Sequence, residues 1–284
     1  MPLNINTNVA SLNAQRFLSN NTSMLGKSME KLASGYRINR AGDDAAGLAL
    51  SEKLRSQIRG SQKAQDNVQD GINLLNIADG AMQSITDYLQ RMRELAVQAG
   101  NDTYNTAQRS SMKAEFDQLA SGITQIANAT QFNGVFLLNG SSQASGLVLQ
   151  IGANATSGVD TLAIGAQGIF DTMDASALGV GSGLSIASNS GALGTITALD
   201  DAIATLNTRR GKLGALSNRL ETTASNLATN VENTSASESR IRNVDVASES
   251  AKLSQYQILQ QAASAMLTQA NQAPQLALQL LKGG

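Results

Sequence analysis

The sequence has no cysteine, no histidine and no tryptophan among its 284 residues, and only 2 prolines. Without Cys there is no disulfide, no thiolate nucleophile and no Cys-ligated zinc. Without His there is no imidazole base, no serine-type triad using His and no H-E-x-x-H zinc site. Charge is scarce as well: 15% of residues are charged, against about 25% in ordinary soluble domains. The net charge of −1 gives no reason to expect strong attraction to nucleic acid or to an acidic membrane surface. No segment reaches the roughly 18 consecutive apolar residues of a membrane span. The start, Met1-Pro2-Leu3-Asn4-Ile5-Asn6, lacks the basic residues and apolar run of a secretory signal, so any export needs another route. Aromatics make up only 3% although 42% of residues are apolar. Most apolar content is therefore Ala, Leu, Ile and Val, which suit close helix–helix contact.

What is present changes character twice along the chain. Up to about Asn139, Leu, Ile, Met and Ala recur at helical spacing. Gly140 to Gly194 is rich in Gly, Ser, Ala and Thr, and after Thr195 the helical pattern returns. The longest helical signal follows Asp43-Asp44, whose charge suits a helix N-terminus. From there Leu54, Ile58, Ser61, Gln65, Val68, Ile72 and Leu75 form a ladder, which Met82, Ile85, Leu89, Met92 and Ala96 continue. This spacing is close to the 3.5-residue period of coiled-coil packing. A helix from Ala45 to Ala99, stopped by Gly100-Asn101, would be about 80 Å long and cannot bury its stripe on itself. Gly60, Gly71 and Gly80 within it each cost up to about 1 kcal/mol of propensity, which close approach by another helix would offset. A second helix is predicted over Thr106 to Asn128, with Phe116, Leu119, Ile123 and Ile126 on one face. A third is predicted from about Thr195, with Ile196, Leu199, Ile203, Leu206, Leu213, Leu216, Leu220, Leu227 and Val231. The fold class is mainly α: a long antiparallel helical bundle or coiled coil with a small β-hairpin region.

The hairpin is expected from Leu147 to Gly165, with Ala153 to Gly158 as its connection. Gly179 to Gly194 reads as loop or linker. Both chain ends are apolar at helical spacing: Leu3, Val9, Leu12, Leu18, Leu25, Met29 and Leu32, and then Leu253, Tyr256, Leu259, Ala263, Met266, Ala270, Leu276 and Leu280. These stripes either pair within one molecule or pair with copies of themselves in a polymer. Left uncovered, they would exceed the few hundred Å² of apolar patch that monomers tolerate. Candidate chemistry is thin. Asp43, Asp44, Glu94 and Glu115 have no metal-loop spacing, and no phosphate-binding glycine motif occurs. Asn139-Gly-Ser141 and Asn154-Ala-Thr156 match a glycosylation sequon, which arises easily by chance in an Asn/Ser/Thr-rich chain. On its residues alone, Arg91-Met92-Arg93-Glu94 is a solvated face with helical ion pairs. No catalytic residue, cofactor or metal is assigned.

Several motifs stand in order at both ends. They include Ile5-Asn-Thr-Asn8, Leu32-Ala-Ser-Gly-Tyr-Arg-Ile-Asn39, Ala41-Gly-Asp-Asp-Ala-Ala-Gly-Leu-Ala49, Gln90-Arg-Met-Arg-Glu-Leu-Ala-Val-Gln98 and Thr130-Gln-Phe-Asn-Gly134. Near the end come Ser239-Arg-Ile-Arg242, Ile258-Leu-Gln-Gln-Ala262, Gln269-Ala-Asn-Gln272 and Pro274-Gln275. On these residues the chain resembles bacterial flagellins, the subunits of the flagellar filament. Asn243 departs slightly, since Asp is common there in the family.

The resemblance implies paired terminal helices in an inner core domain, 1–44 with 240–284. It implies an outer core helical bundle of 45–139 with 195–239, and a short 140–194 segment in place of outer domains, hence a thin filament. The polymerisation core would use Leu3, Val9, Leu12, Leu18, Leu25, Leu253, Leu259, Met266, Leu276 and Leu280. It further implies unfolded export by the flagellar type III apparatus, with the export signal in the N-terminal segment, and an extracellular filament. Implied partners are copies of the chain itself, an export chaperone on the C-terminal helix, and the filament cap and junction proteins. A host partner, Toll-like receptor 5, would read Gln90, Arg91, Leu95, Gln98 and Glu115. Neither nucleic acid nor membrane insertion is implied. The competing readings are a hook–filament junction protein of the same apparatus, a flagellin carrying a protease insert, and a generic coiled-coil stalk. The protease insert requires a His-containing zinc motif, and the stalk would not explain the ordered motifs.

Overall fold

Each helix begins where a side chain can satisfy its free backbone amides. Helix α1, Val9–Ser34, is capped by Asn8, whose side chain accepts from the Ser11 amide at 3.1 Å. It ends at Gly35, whose left-handed backbone (φ 75°) lets its amide reach the Lys31 carbonyl. Helix α2, Ala45–Ala99, starts at Asp44, which accepts from the Gly47 amide at 2.8 Å. Helix α3, Thr106–Ala129, opens with a reciprocal capping box between Asn105 and Gln108. Helix α4 spans Asn189–Arg242 and α5 spans Val246–Lys282. Asp245 caps α5 through the amides of Ala247 and Ser248. The computed structural model describes residues 7–141, 146–156, 158–165, 168–181 and 183–282, with side chains up to Gln272.

Two small antiparallel sheets complete the described elements. In the first, β1 (Gln131–Phe132) pairs with β2 (Val135–Phe136). Its two-residue connection, Asn133-Gly134, takes positive φ at both positions (48° and 80°), as a type I′ hairpin turn requires. In the second, β3 (Val148–Gln150) pairs with β4 (Thr161–Ala163) with Leu149 opposite Leu162, within the expected hairpin.

The chain forms two compact units, Met1–Ser56 with Asn233–Gly284 and Gln57–Glu232. The larger unit holds the hydrophobic core. Along α2 the residues facing it are Ser61, Ala64, Val68, Gly71, Leu75, Ala78, Met82, Ile85, Leu89, Met92, Ala96 and Ala99, all buried in unbroken three–four alternation. The predicted ladder is corrected at two points: Gln65 is exposed and Ile72 only half-buried, while the small neighbours Ala64 and Gly71 hold the seam. The same happens on α4, where Ala192, Thr195 and Ala202 are buried and Ile196 and Ile203 pack half-buried beside them. Helix α4 also starts six residues before the predicted Thr195, because the Ser188 hydroxyl accepts from the Gly191 amide and supports an earlier first turn.

The glycines of α2 make room for the hairpin rather than for a helix. A Cβ on Gly71 would collide with the Leu149 side chain, and one on Gly60 would meet Ala153 at 3.0 Å, whereas Gly80 faces open space. The segment expected as loop or linker, Gly179 to Gly194, contributes to the core as well: Val180 and Ile186 are fully buried in the same cluster as α2, α3 and α4, as are Ile164, Ile169, Phe170 and Met173 before it.

Candidate functional site

In the smaller unit, α1 and α5 lie against each other in antiparallel register. Ser11, Ala14, Leu18, Asn21, Leu25, Ser28 and Leu32 are the less exposed positions of α1. Glu249, Leu253, Tyr256, Gln260, Ala263, Leu267 and Ala270 are those of α5. Both series alternate by three and four, the spacing of a coiled-coil seam. Polar contacts set the register. Asn8 Nδ2 donates to the Ala270 carbonyl at 2.7 Å, Ser11 Oγ donates to Asn271 Oδ1 at 2.8 Å, and Ser28 Oγ donates to Glu249 Oε1 at 2.7 Å.

Among the described residues of these two helices, only the polar pair Ser28 and Glu249 is fully buried. The apolar seam residues stay half-buried because two helices alone leave both flanks of a seam open. Burial of Glu249 alone would raise its carboxyl pKa. Its hydrogen bond from Ser28, with Lys252 and then Lys31 nearby, outweighs that and holds it below the usual glutamate value.

The apolar residues proposed for polymerisation divide accordingly. Leu18, Leu25 and Leu253 lie in the seam. Val9, Leu12, Leu259 and Met266 lie outside it and are exposed, Val9 by 59% and Met266 by 66%. Leu3 lies outside the described residues, and Leu276 and Leu280 lie where no side chain is described. Phe17 and Ile258, absent from the proposed set, are as exposed as those in it, at 59% and 66%. Phe17 was legible: it stands seven residues before Met24, on one side of the helix. With Leu259, Met266, Ala10, Ala14 and Ala263, Phe17 lines an open groove of about 520 Å³.

The connection before α2 is fastened to the turn between α4 and α5. Tyr36 and Asn243 form an isolated antiparallel bridge. The Arg37 amide donates to the Arg242 carbonyl at 2.7 Å, and the Val244 amide donates to the Gly35 carbonyl at 3.0 Å. The Arg242 guanidinium lies 4.8 Å from the Tyr36 ring centroid and pairs with Glu52, which lowers the Glu52 pKa. Asn243 donates to Ser239 Oγ at 2.7 Å. The end motifs thus hold one another.

The second candidate surface lies on α2 and α3 in the larger unit. Arg91 bonds Glu115 through Nε at 3.0 Å and Nη2 at 2.9 Å, and bonds Glu94 at 2.9 Å. Glu115 first, then Glu94, raises the Arg91 pKa and keeps it charged. Gln98 Nε2 donates to the Tyr104 hydroxyl at 3.0 Å. Gln90, Arg91, Gln98 and Glu115 are exposed. Leu95 is not: it is 2% exposed and belongs to the core cluster. Its position falls beside the buried stripe and its side chain packs inward. Among the described residues no acidic cluster is placed to hold a metal ion, and no helix is long and apolar enough to cross a membrane.

Comparison with known proteins gives concordant matches at both ends. Residues 5–143 match the bacterial flagellin N-terminal helical region, and residues 196–281 match the bacterial flagellin C-terminal helical region. A flagellin of Bacillus subtilis is 44% identical, the match covering 99% of this chain and 100% of that one. A flagellar filament 33 kDa core protein of Treponema phagedenis is 42% identical over 98% of this chain and 99% of its own. A Bacillus cereus flagellin of known crystal structure is 32% identical, with a TM-score of 0.48, covering 57% of this chain and 88% of that one.

Proposed function

The chain belongs to the bacterial flagellin family, and from that premise we propose that it builds the filament by burying the open flanks of its paired terminal helices between subunits. It is a structural filament subunit and not an enzyme. The observation that carries the proposal is the half-buried seam of α1 and α5, with Val9, Leu12, Phe17, Leu259 and Met266 left exposed around it. A neighbouring copy supplies the third and fourth walls that a two-helix seam lacks. The inner core would comprise 1–44 with 240–284 and the outer core 45–139 with 195–239, with 140–194 in place of outer domains. Burial of 140–194 residues in the core of the larger unit supports a thin filament.

Export in an unfolded state through the flagellar type III apparatus, to an extracellular filament, fits a terminal unit with little buried apolar surface to undo. An export chaperone would cover Ile258, Leu259 and Met266 until assembly, and the cap and junction proteins would meet the same helices. For the exposed cluster of Gln90, Arg91, Gln98 and Glu115, the proposed partner is Toll-like receptor 5, acting on depolymerised subunits. The junction-protein reading has less support, because identity to flagellins extends over nearly the whole chain. Negative-stain imaging of purified, concentrated protein tests the main proposal: long helical filaments are expected, and only monomers or short caps would overturn it.

A further inference from the structure

Methionine is unevenly placed in this chain. Of its 8 methionines, Met82, Met92 and Met173 are fully buried and Met112 is 9% exposed, all within the larger unit. Met24, Met29 and Met266 are exposed by 46%, 49% and 66%, and all three stand on α1 and α5. Met24 follows Phe17 by seven residues and Met266 follows Leu259 by seven. A seven-residue step returns to the same side of a helix in a heptad seam. These two thioethers therefore extend the apolar flank on which Phe17 and Leu259 stand, and Met266 itself lines the groove. Met29 stands on the opposite flank. With no cysteine in the chain, these thioethers are, among the described residues, the soft sulfur atoms open to a dissolved oxidant.

We propose that the two flanks of the terminal-helix pair are oxidative modification sites. Hydrogen peroxide converts Met24, Met29 and Met266 of the unassembled subunit to methionine sulfoxide, and the modified subunit is excluded from the filament. In each event the peroxide O–O bond breaks and one oxygen passes to the thioether sulfur. Sulfur is oxidised by two electrons, the peroxide is reduced to water, and no carbon–sulfur bond changes. The product replaces a flexible apolar group with a polar one. Buried against a neighbouring subunit, its S–O oxygen would lose water without gaining a donor. Assembly covers the flanks, so the reaction is confined to the interval before incorporation. The inference rests on the reading of these flanks as the assembly surface.

The test uses full-length protein. Monomer is partly oxidised with hydrogen peroxide, the sulfoxide at each methionine is measured by peptide mass spectrometry, and the pool is then polymerised and pelleted. Oxygen is expected at Met24, Met29 and Met266 well before Met82, Met92, Met112 and Met173. Sulfoxide at Met24 and Met266 should be about tenfold scarcer in pelleted filaments than in the supernatant, a ratio worth about 1.4 kcal/mol. Treating the supernatant with methionine sulfoxide reductases should restore its assembly. Equal oxidation of buried and exposed methionines, or equal sulfoxide in pellet and supernatant, overturns the inference. An untreated control that forms no filaments overturns instead the assembly reading on which it rests.

Discussion

At the scale of single residues, the two candidate surfaces differ in what a substitution should do. Glu249 is a carboxylate buried in an otherwise half-open seam, held ionised by Ser28 at 2.7 Å and Lys252 at 3.3 Å. Ser28→Ala removes the donor and leaves a buried charge short of a partner, which costs about 1–3 kcal/mol. Faster amide hydrogen exchange in α1 and α5 is the expected readout; unchanged protection would count against it. Because the folded carboxyl titrates below its unfolded value of about 4.3, its stabilisation is complete above that pH. It is lost as pH falls through the lower folded value, so the terminal helices should loosen on acidification, and Glu249→Gln should flatten that dependence. On the other surface, Arg91→Ala should weaken Toll-like receptor 5 binding by the monomer without lowering its melting temperature, since its ion pairs are exposed and contribute little to stability. Leu95→Ala should do the reverse in order of cause. It opens a cavity in the core at a cost of about 2–5 kcal/mol, so a calorimetric melt must fall along with any loss of binding. Loss of binding by Leu95→Ala at an unchanged melting temperature would return Leu95 to the receptor face.

At the scale of elements, the proposed assembly assigns different work to the heptad seam of α1 with α5, which pairs the helices, and to the open flanks, which would meet a neighbour. Phe17 and Leu259 sit on the open flank, not in the seam. Phe17→Ser with Leu259→Ser should therefore leave monomer helicity within about 0.5 kcal/mol of wild type while raising the critical concentration for polymerisation. Circular dichroism with sedimentation of filaments separates the two effects; collapse of helicity would show that the flank supports the pair itself. Helices of this kind were legible in the sequence because their caps and stripes are local. Asp44 before Ala45 and Gly100 after Ala99 bound α2 as read, and α3 begins at the predicted Thr106. Which residues centre a stripe was less legible. A search for large aliphatics selects Ile72, Ile196 and Ile203, but close helix contact favours their smaller neighbours Gly71, Thr195 and Ala202 at the centre. The Asn133-Gly134 hairpin carries its turn signature in the sequence. The packing after the hairpin was not readable: few apolar residues are scattered among Gly, Ser and Ala, and only the tertiary fold brings Phe170, Val180 and Ile186 to one core. The inward packing of Leu95 was not legible either, because residues around a buried stripe share a motif with exposed ones and the motif does not say which way each points.

At the scale of the whole molecule, the two units are built with unequal amounts of core. The larger unit buries a continuous cluster of Leu, Ile, Met, Phe and Ala from α2, α3, α4 and the segment between α3 and α4. In the smaller unit the buried apolar residue among those described is Ile38. Burial contributes roughly 25 cal/mol per Å² of apolar surface, so the larger unit should stand alone while the terminal helices remain close to the unfolding threshold in a monomer. On the proposed assembly their missing stabilisation would come from neighbouring copies, since a partner that binds only the folded form stabilises it increasingly with concentration. Hydrogen exchange measured on monomer and on sedimented filament should reveal this directly. In the monomer, amides of α2 and α3 around Ile85, Leu89 and Phe116 should be strongly protected and those of α1 and α5 weakly so. In the filament the terminal amides should gain protection while the core amides change little. Protection of α1 and α5 already equal to that of α2 in the monomer would mean that the two-helix seam suffices unaided, and the exposed flank would then need another explanation than polymerisation.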